Sequence, residues 1–106
     1  MIEINTLPIK DVIPGFHGRF IHTEHSTLGF WEIDKGSTLP AHSHLHEQIT
    51  EVREGKFELT IGSQTNIYVP GMIAIIPPHA VHSGRALTDC KLLDIFLPVR
   101  EDYKAL

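Results

Sequence analysis

Residues Gly36–Gly55 read GSTLPAHSHLHEQITEVREG, with His42, His44 and His46 on alternate positions between a turn-forming glycine and a run of strand-like alternation. On an extended segment successive side chains point to opposite faces, so His42 and His44 share a face and reach the same ion. Gln48 keeps that parity and offers an amide oxygen. A further histidine, His82, closes a second apolar run in PPHAVHSG, Pro77–Gly84. A strand pairing that sets Gln48 and His82 beside His42 and His44 makes a metal site of nitrogen and oxygen donors, open on one side to water or substrate. Taken alone, the cluster reads equally as a solvated loop that meets metal adventitiously. His46 has the right parity but equally turns outward. For His17, His22, His25 and His79 no partner follows, and each reads as a satisfied or solvent-facing histidine.

Outward from this stretch, short strand-like runs alternate with turn residues. TLGFWEI (Thr27–Ile33) ends at DKGS, EQITEVR (Glu47–Arg53) at EGK, FELTIG (Phe57–Gly62) leads into SQTNIYV (Ser63–Val69), and PGM follows. MIAIIPP (Met72–Pro78) and KLLDIFLP (Lys91–Pro98) are denser apolar runs, as expected where both faces are covered. No segment holds an apolar stripe at helical spacing for several turns. The pattern predicts an all-β chain, an antiparallel sandwich or barrel. Phe57, Leu59 and Ile61 share an apolar face opposite Glu58 and Thr60. In KLLDIFLP, Leu93, Ile95 and Leu97 share one face, leaving Leu92, Asp94 and Phe96 on the other. Asp94 is the odd member, because a carboxylate among apolar neighbours needs a partner, a metal-bound water or a chemical task.

With 106 residues the chain is expected to be one domain, 1–106, and short enough that an all-β fold gains from burying more surface in a homodimer. The aromatic segment GFHGRFIH (Gly15–His22) is the candidate to cover a neighbouring sheet edge. Nine Lys and Arg against 13 Asp and Glu, without a basic run, argue against nucleic acid and anionic membrane as partners. MIEINTLPIKD lacks the apolar core of a secretory signal, so the expected setting is soluble and cytoplasmic. The lone Cys90 suits a reducing compartment and reads as a small buried residue.

The stretch Gly36–Gly55 resembles the first cupin motif: a glycine, five residues, His-x-His, three residues, a ligand position, six residues and a glycine. Gly71–His82, GMIAIIPPHAVH, is similar to the second motif, which ends in the last ligand histidine. The resemblance implies a double-stranded β-helix, a jelly-roll barrel of two facing antiparallel sheets, with His42, His44, Gln48 and His82 as metal ligands. Gln48 stands where the general family usually has Glu, and His79 and Ala86 where the second motif usually has Gly and Asn. Across nearly the whole chain the sequence is also similar to the pectin-degradation cupins that linearise unsaturated uronate monosaccharides. Glutamine is a usual metal ligand there, and DIFLPVR matches that group's functional carboxylate, aromatic and arginine, here Asp94, Phe96 and Arg100.

Three imidazoles and a neutral amide leave a divalent ion its full charge, whereas a glutamate ligand would cancel one unit; such a site favours an anionic or enolate-like oxygen. Nickel, zinc, manganese and iron(II) all suit this donor set. The resemblance implies ring opening of a small-molecule 4,5-unsaturated uronate from pectin or alginate. In that role Asp94 is the acid/base, Arg100 the carboxylate clamp and Phe96 the wall against the sugar. Arg100 reads alternatively as a surface charge paired with Glu101 or Asp102, and Phe96 as core. A metal-dependent dioxygenase and a non-catalytic sugar- or metal-binding module are the other functional classes open to such a chain.

Overall fold

The computed structural model describes all 106 residues, Met1–Leu106. After a 3-10 turn at Ile4–Thr6 come ten strands. They are β1 (Lys10–Ile13), β2 (Phe16–His22), β3 (Thr27–Ile33), β4 (Thr38–His42), β5 (Glu47–Glu54), β6 (Phe57–Ile61), β7 (Gln64–Tyr68), β8 (Ile73–Ile76), β9 (His82–Ala86) and β10 (Cys90–Leu97). A single helical turn, α1 (Glu101–Lys104), ends the chain. The strands form a six-stranded sheet in the order β1-β2-β3-β10-β5-β8 and a four-stranded sheet in the order β4-β9-β6-β7, and every pairing is antiparallel. The all-β fold of two antiparallel sheets is therefore the one the spacing of runs and turns predicts.

Strand parity decides what lies between the sheets. β10 buries Cys90, Leu92, Asp94 and Phe96, and β3 buries Thr27, Gly29, Trp31 and Ile33. From the small sheet Phe57 and Leu59 of β6 reach the same core, which also takes Phe16, Val52, Ala74, Ile76 and Ala86. Trp31 is its hub, meeting Phe16 and Phe20 edge-on at centroid distances of 6.0 and 5.3 Å. Each fully buried side chain of this size contributes about 1.5–3 kcal/mol. Core side chains such as Phe57, Leu59 and Leu92 wall one side of the barrel's cavity, and polar side chains line the other.

The glycines that bound the first motif have conformational reasons. Gly36 and Gly55 have φ of 84° and 87°, the left-handed region, and a Cβ on Gly55 would run into the carbonyl oxygen of Asp89. His79 has φ of 66°, so this chain puts a histidine in a conformation that glycine adopts without strain. That accounts for the departure from the second motif at this position.

Two expectations need correction. MIAIIPP is not covered on both faces: β8 is an edge strand whose Ala74 and Ile76 point inward, while Ile73 and Ile75 are 58% and 65% exposed. GFHGRFIH does not reach toward a neighbour's edge; it forms β2, paired on both sides within the chain to β1 and β3. Its Phe16 is buried and Phe20 packs against Trp31, so its aromatics belong to this chain's own interior.

Candidate metal centre

Four elements converge at the polar end of the barrel. His42 closes β4 and His82 opens β9, and the two are direct cross-strand partners with ring centroids 4.2 Å apart. His44 enters from the β4–β5 connection, 5.7 Å from the His42 ring and 4.9 Å from the His82 ring. Gln48, second residue of β5, arrives from the facing sheet and sets Oε1 3.0 Å from His44 Nε2. The sequence thus supplies two ligands from one sheet, one from a loop and one from the other sheet.

Backbone carbonyls fix the tautomers. His42 Nδ1 lies 2.8 Å from the Pro40 oxygen, His44 Nδ1 3.0 Å from the His46 oxygen and His82 Nδ1 2.9 Å from the Ala80 oxygen. A carbonyl only accepts, so each Nδ1 carries a proton, and in the neutral ring Nε2 presents a lone pair. One donor atom from each of the three rings lies within 4.8 Å of the others. His82 Nε2 is buried with no hydrogen-bond partner. Burial lowers the pKa of His82 to about 4, and burial likewise lowers that of His44, so neither ring takes up a proton near neutrality. Neutral His44 then meets acceptors at both nitrogens, the His46 carbonyl and Gln48 Oε1, with one proton to share. Converging lone pairs with no hydrogen among them are what a divalent cation satisfies, so these residues fit a bound metal.

A cavity of about 380 Å³ opens beside the cluster, in the size range of small-ligand sites. His42, Gln48 and His82 line it together with Trp31, Thr50, Asp94, Phe96, Arg100, Asp102 and Tyr103. Asp94 is buried, and removal from water raises its pKa above the usual carboxylate range. Thr50, its direct partner on β5, donates to Asp94 Oδ1 at 2.6 Å. Trp31 turns its indole nitrogen toward the same region and makes no hydrogen bond.

Arg100 lies just before α1 with only 10% of its side chain exposed. It makes a two-pronged bond to Asp102, Nε to Oδ1 at 2.9 Å and Nη2 to Oδ2 at 2.7 Å. Its guanidinium sits 3.8 Å from the Tyr103 ring centroid and 4.7 Å from that of Phe96. Arg100 pairs with Asp102, as one sequence reading expects, but it lines the cavity rather than the surface. Phe96 is likewise both core and wall, 2% exposed with His44, His46, Arg100 and Tyr103 around its ring.

His46 does not turn outward. It is 9% exposed and its Nε2 donates to the Val99 carbonyl at 3.3 Å, so it braces the segment leading to Arg100 instead of joining the ligands. Thr27 braces the same segment, accepting the Arg100 backbone N–H at 2.9 Å. Thr50, Tyr103 and Trp31 escaped the sequence reading. Only the parity of Thr50 with Gln48, and of Trp31 with Gly29, pointed toward the interior.

Comparison with known proteins agrees with this geometry. A family model described as a cupin domain matches residues 29–96, a span that holds both histidine motifs and Asp94. An RmlC-like cupin from Shewanella frigidimarina superposes with a TM-score of 0.92 at 26% identity, covering 97% of this chain and 94% of that one. KdgF from Halomonas sp. superposes with a TM-score of 0.91 at 28% identity, covering 97% of this chain and 98% of that one. An uncharacterized protein of Streptomyces coelicolor is 22% identical over 85 residues, 79% of this chain and 81% of its own length. With the model spanning most of the barrel and the histidines converging at its polar end, the chain belongs to the cupin family.

Proposed function

We propose that the protein is a metal-dependent enzyme that opens 4,5-unsaturated monouronates to the linear keto-uronate. The observation that carries this reading is one cavity lined by imidazole and amide donors, a buried carboxyl group and a buried arginine. The likeness to KdgF of Halomonas sp. over nearly the full length of both chains supports it, as does the sequence resemblance to uronate-linearising cupins.

His42, His44, Gln48 and His82 would hold a divalent metal, which supplies Lewis acidity toward a sugar oxygen when bound. The remaining work falls to the chain. The substrate is a cyclic enol ether with a hemiacetal carbon and a carboxylate. Ring opening removes the hemiacetal hydroxyl proton and breaks the bond from that carbon to the ring oxygen, giving an aldehyde and an enolate. A proton delivered to the neighbouring alkene carbon then gives the ketone, so the reaction is redox-neutral. Asp94 accepts the first proton and returns one, a task suited to a carboxyl whose pKa burial has raised toward working pH. Arg100, held by Asp102 through Nε and Nη2, keeps Nη1 for the substrate carboxylate. Phe96 and Tyr103 flank the guanidinium and keep water from it.

Metal-loaded protein is expected to accelerate the loss of conjugated-uronate absorbance with 4,5-unsaturated galacturonate, guluronate or mannuronate. Asp94→Asn and Arg100→Ala are expected to abolish the acceleration while the circular dichroism spectrum is unchanged. Inactivity on all three epimers contradicts the proposal, and stoichiometric oxygen uptake points to dioxygenase chemistry instead.

A further inference from the structure

A chain of two hydrogen bonds joins the metal position to Asp94. Gln48 Nε2 donates to Thr50 Oγ1 at 3.1 Å, and Thr50 Oγ1 donates to Asp94 Oδ1 at 2.6 Å. Thr50 itself is 4% exposed. A hydroxyl has one proton. Because Asp94 takes it, the oxygen is left as an acceptor, and only the NH2 end of the Gln48 amide satisfies an acceptor. The carbonyl end must then face the other way, and Gln48 Oε1 does point at His44 Nε2. We propose that Thr50 is a positioning residue of the metal centre, setting the rotation of the Gln48 amide so that its oxygen faces the metal. The inference rests on the metal-site reading and deepens it. It also supplies a reason for glutamine here: a glutamate would turn a second acceptor toward an oxygen whose proton is already given to Asp94.

The test is metal affinity, measured by competing zinc(II) and nickel(II) between chelator-stripped protein and a chromogenic chelator. Loss of an outer hydrogen bond to a ligand typically weakens metal binding about 10–100-fold, the effect expected for Thr50→Val and Thr50→Ala. Thr50→Ser keeps the hydroxyl and is expected to bind like the wild type. In a Gln48→Ala background, Thr50→Val is expected to cost nothing further, because there is no amide left to orient. In the wild-type apo protein, the Gln48 side-chain amide protons are expected to show hydrogen-exchange protection by NMR. Wild-type affinity in both Thr50→Val and Thr50→Ala overturns the inference, as do an undiminished loss in the Gln48→Ala background or an unprotected Gln48 amide. A wild type that binds neither metal overturns the site itself, and this inference with it.

Discussion

At Gln48 a neutral amide stands beside His44 and His82, whose pKa burial lowers, so these donors would leave a bound dication its full charge. Asp94 is the complementary residue, a carboxyl kept from water whose folded-state pKa lies above its unfolded value. The native state therefore holds its proton more tightly. Stability contributed by the protonated form is full below the unfolded pKa and declines as pH rises through the folded one. As pH rises above the unfolded pKa, that preference for the proton costs stability. Asp94→Asn, which keeps an acceptor for Thr50, is expected to raise the Tm of the apo protein while removing activity, with roughly 4–8 °C for each kcal/mol relieved in a domain of this size. Calorimetry checks this, and a lowered Tm contradicts it. Asp94 was legible in the sequence because a charge interrupts an apolar strand face. Thr50 was not, because a threonine on a strand is unremarkable until the residue opposite it is known.

Among elements, the strands with clear alternation or dense apolar runs were legible, and β1, β2, β4 and β9 were not. In β4 and β9 the inward positions carry His42 and His82, and Pro40 and Gly84 break the pattern, so their part in the site erases their hydrophobic signature. β8 misled in the opposite sense, since its outward isoleucines read as core. At the far end of the barrel a polar contact ties three elements together. His17 on β2 bonds Asp11 of β1 through Nδ1 at 2.6 Å and Asp34, after β3, through Nε2 at 3.0 Å. The hydrogen bonds to Asp11 and then Asp34 raise its pKa. This contribution is complete below about pH 6.5, the unfolded histidine value, and is lost as pH rises through the folded pKa. NMR titration is expected to place His17 above free histidine at low salt and nearer to it at high salt, since the carboxylates are exposed. Hydrogen exchange in β1 is expected to quicken over the same rise in pH. A His17 pKa at or below that of free histidine contradicts the assignment.

For the whole molecule, the candidate metal site lies where the two sheets meet beside the apolar core. His42 and His82 come from the small sheet and Gln48 from the large one, so a bound ion cross-links them. Ligand binding to the native state alone stabilises by about 2.7 kcal/mol at a hundredfold excess over Kd. Zinc(II) or nickel(II) is thus expected to raise the Tm of stripped protein and a chelator to reverse it, whereas His82→Ala protein is expected to show little metal dependence. The fold and the convergence of His42, His44, Gln48 and His82 were legible because motif spacing transmits strand parity. Arg100's partner was not, because whether Glu101 or Asp102 meets the guanidinium depends on the turn into α1. The most direct test of the central claim is a proton NMR time course of 4,5-unsaturated galacturonate with metal-loaded and with chelator-stripped protein. The account predicts that the cyclic alkene signals give way to the linear keto-uronate faster than in buffer, only in the metal-loaded sample and without oxygen consumption. Conversion at the spontaneous rate in both samples would contradict it.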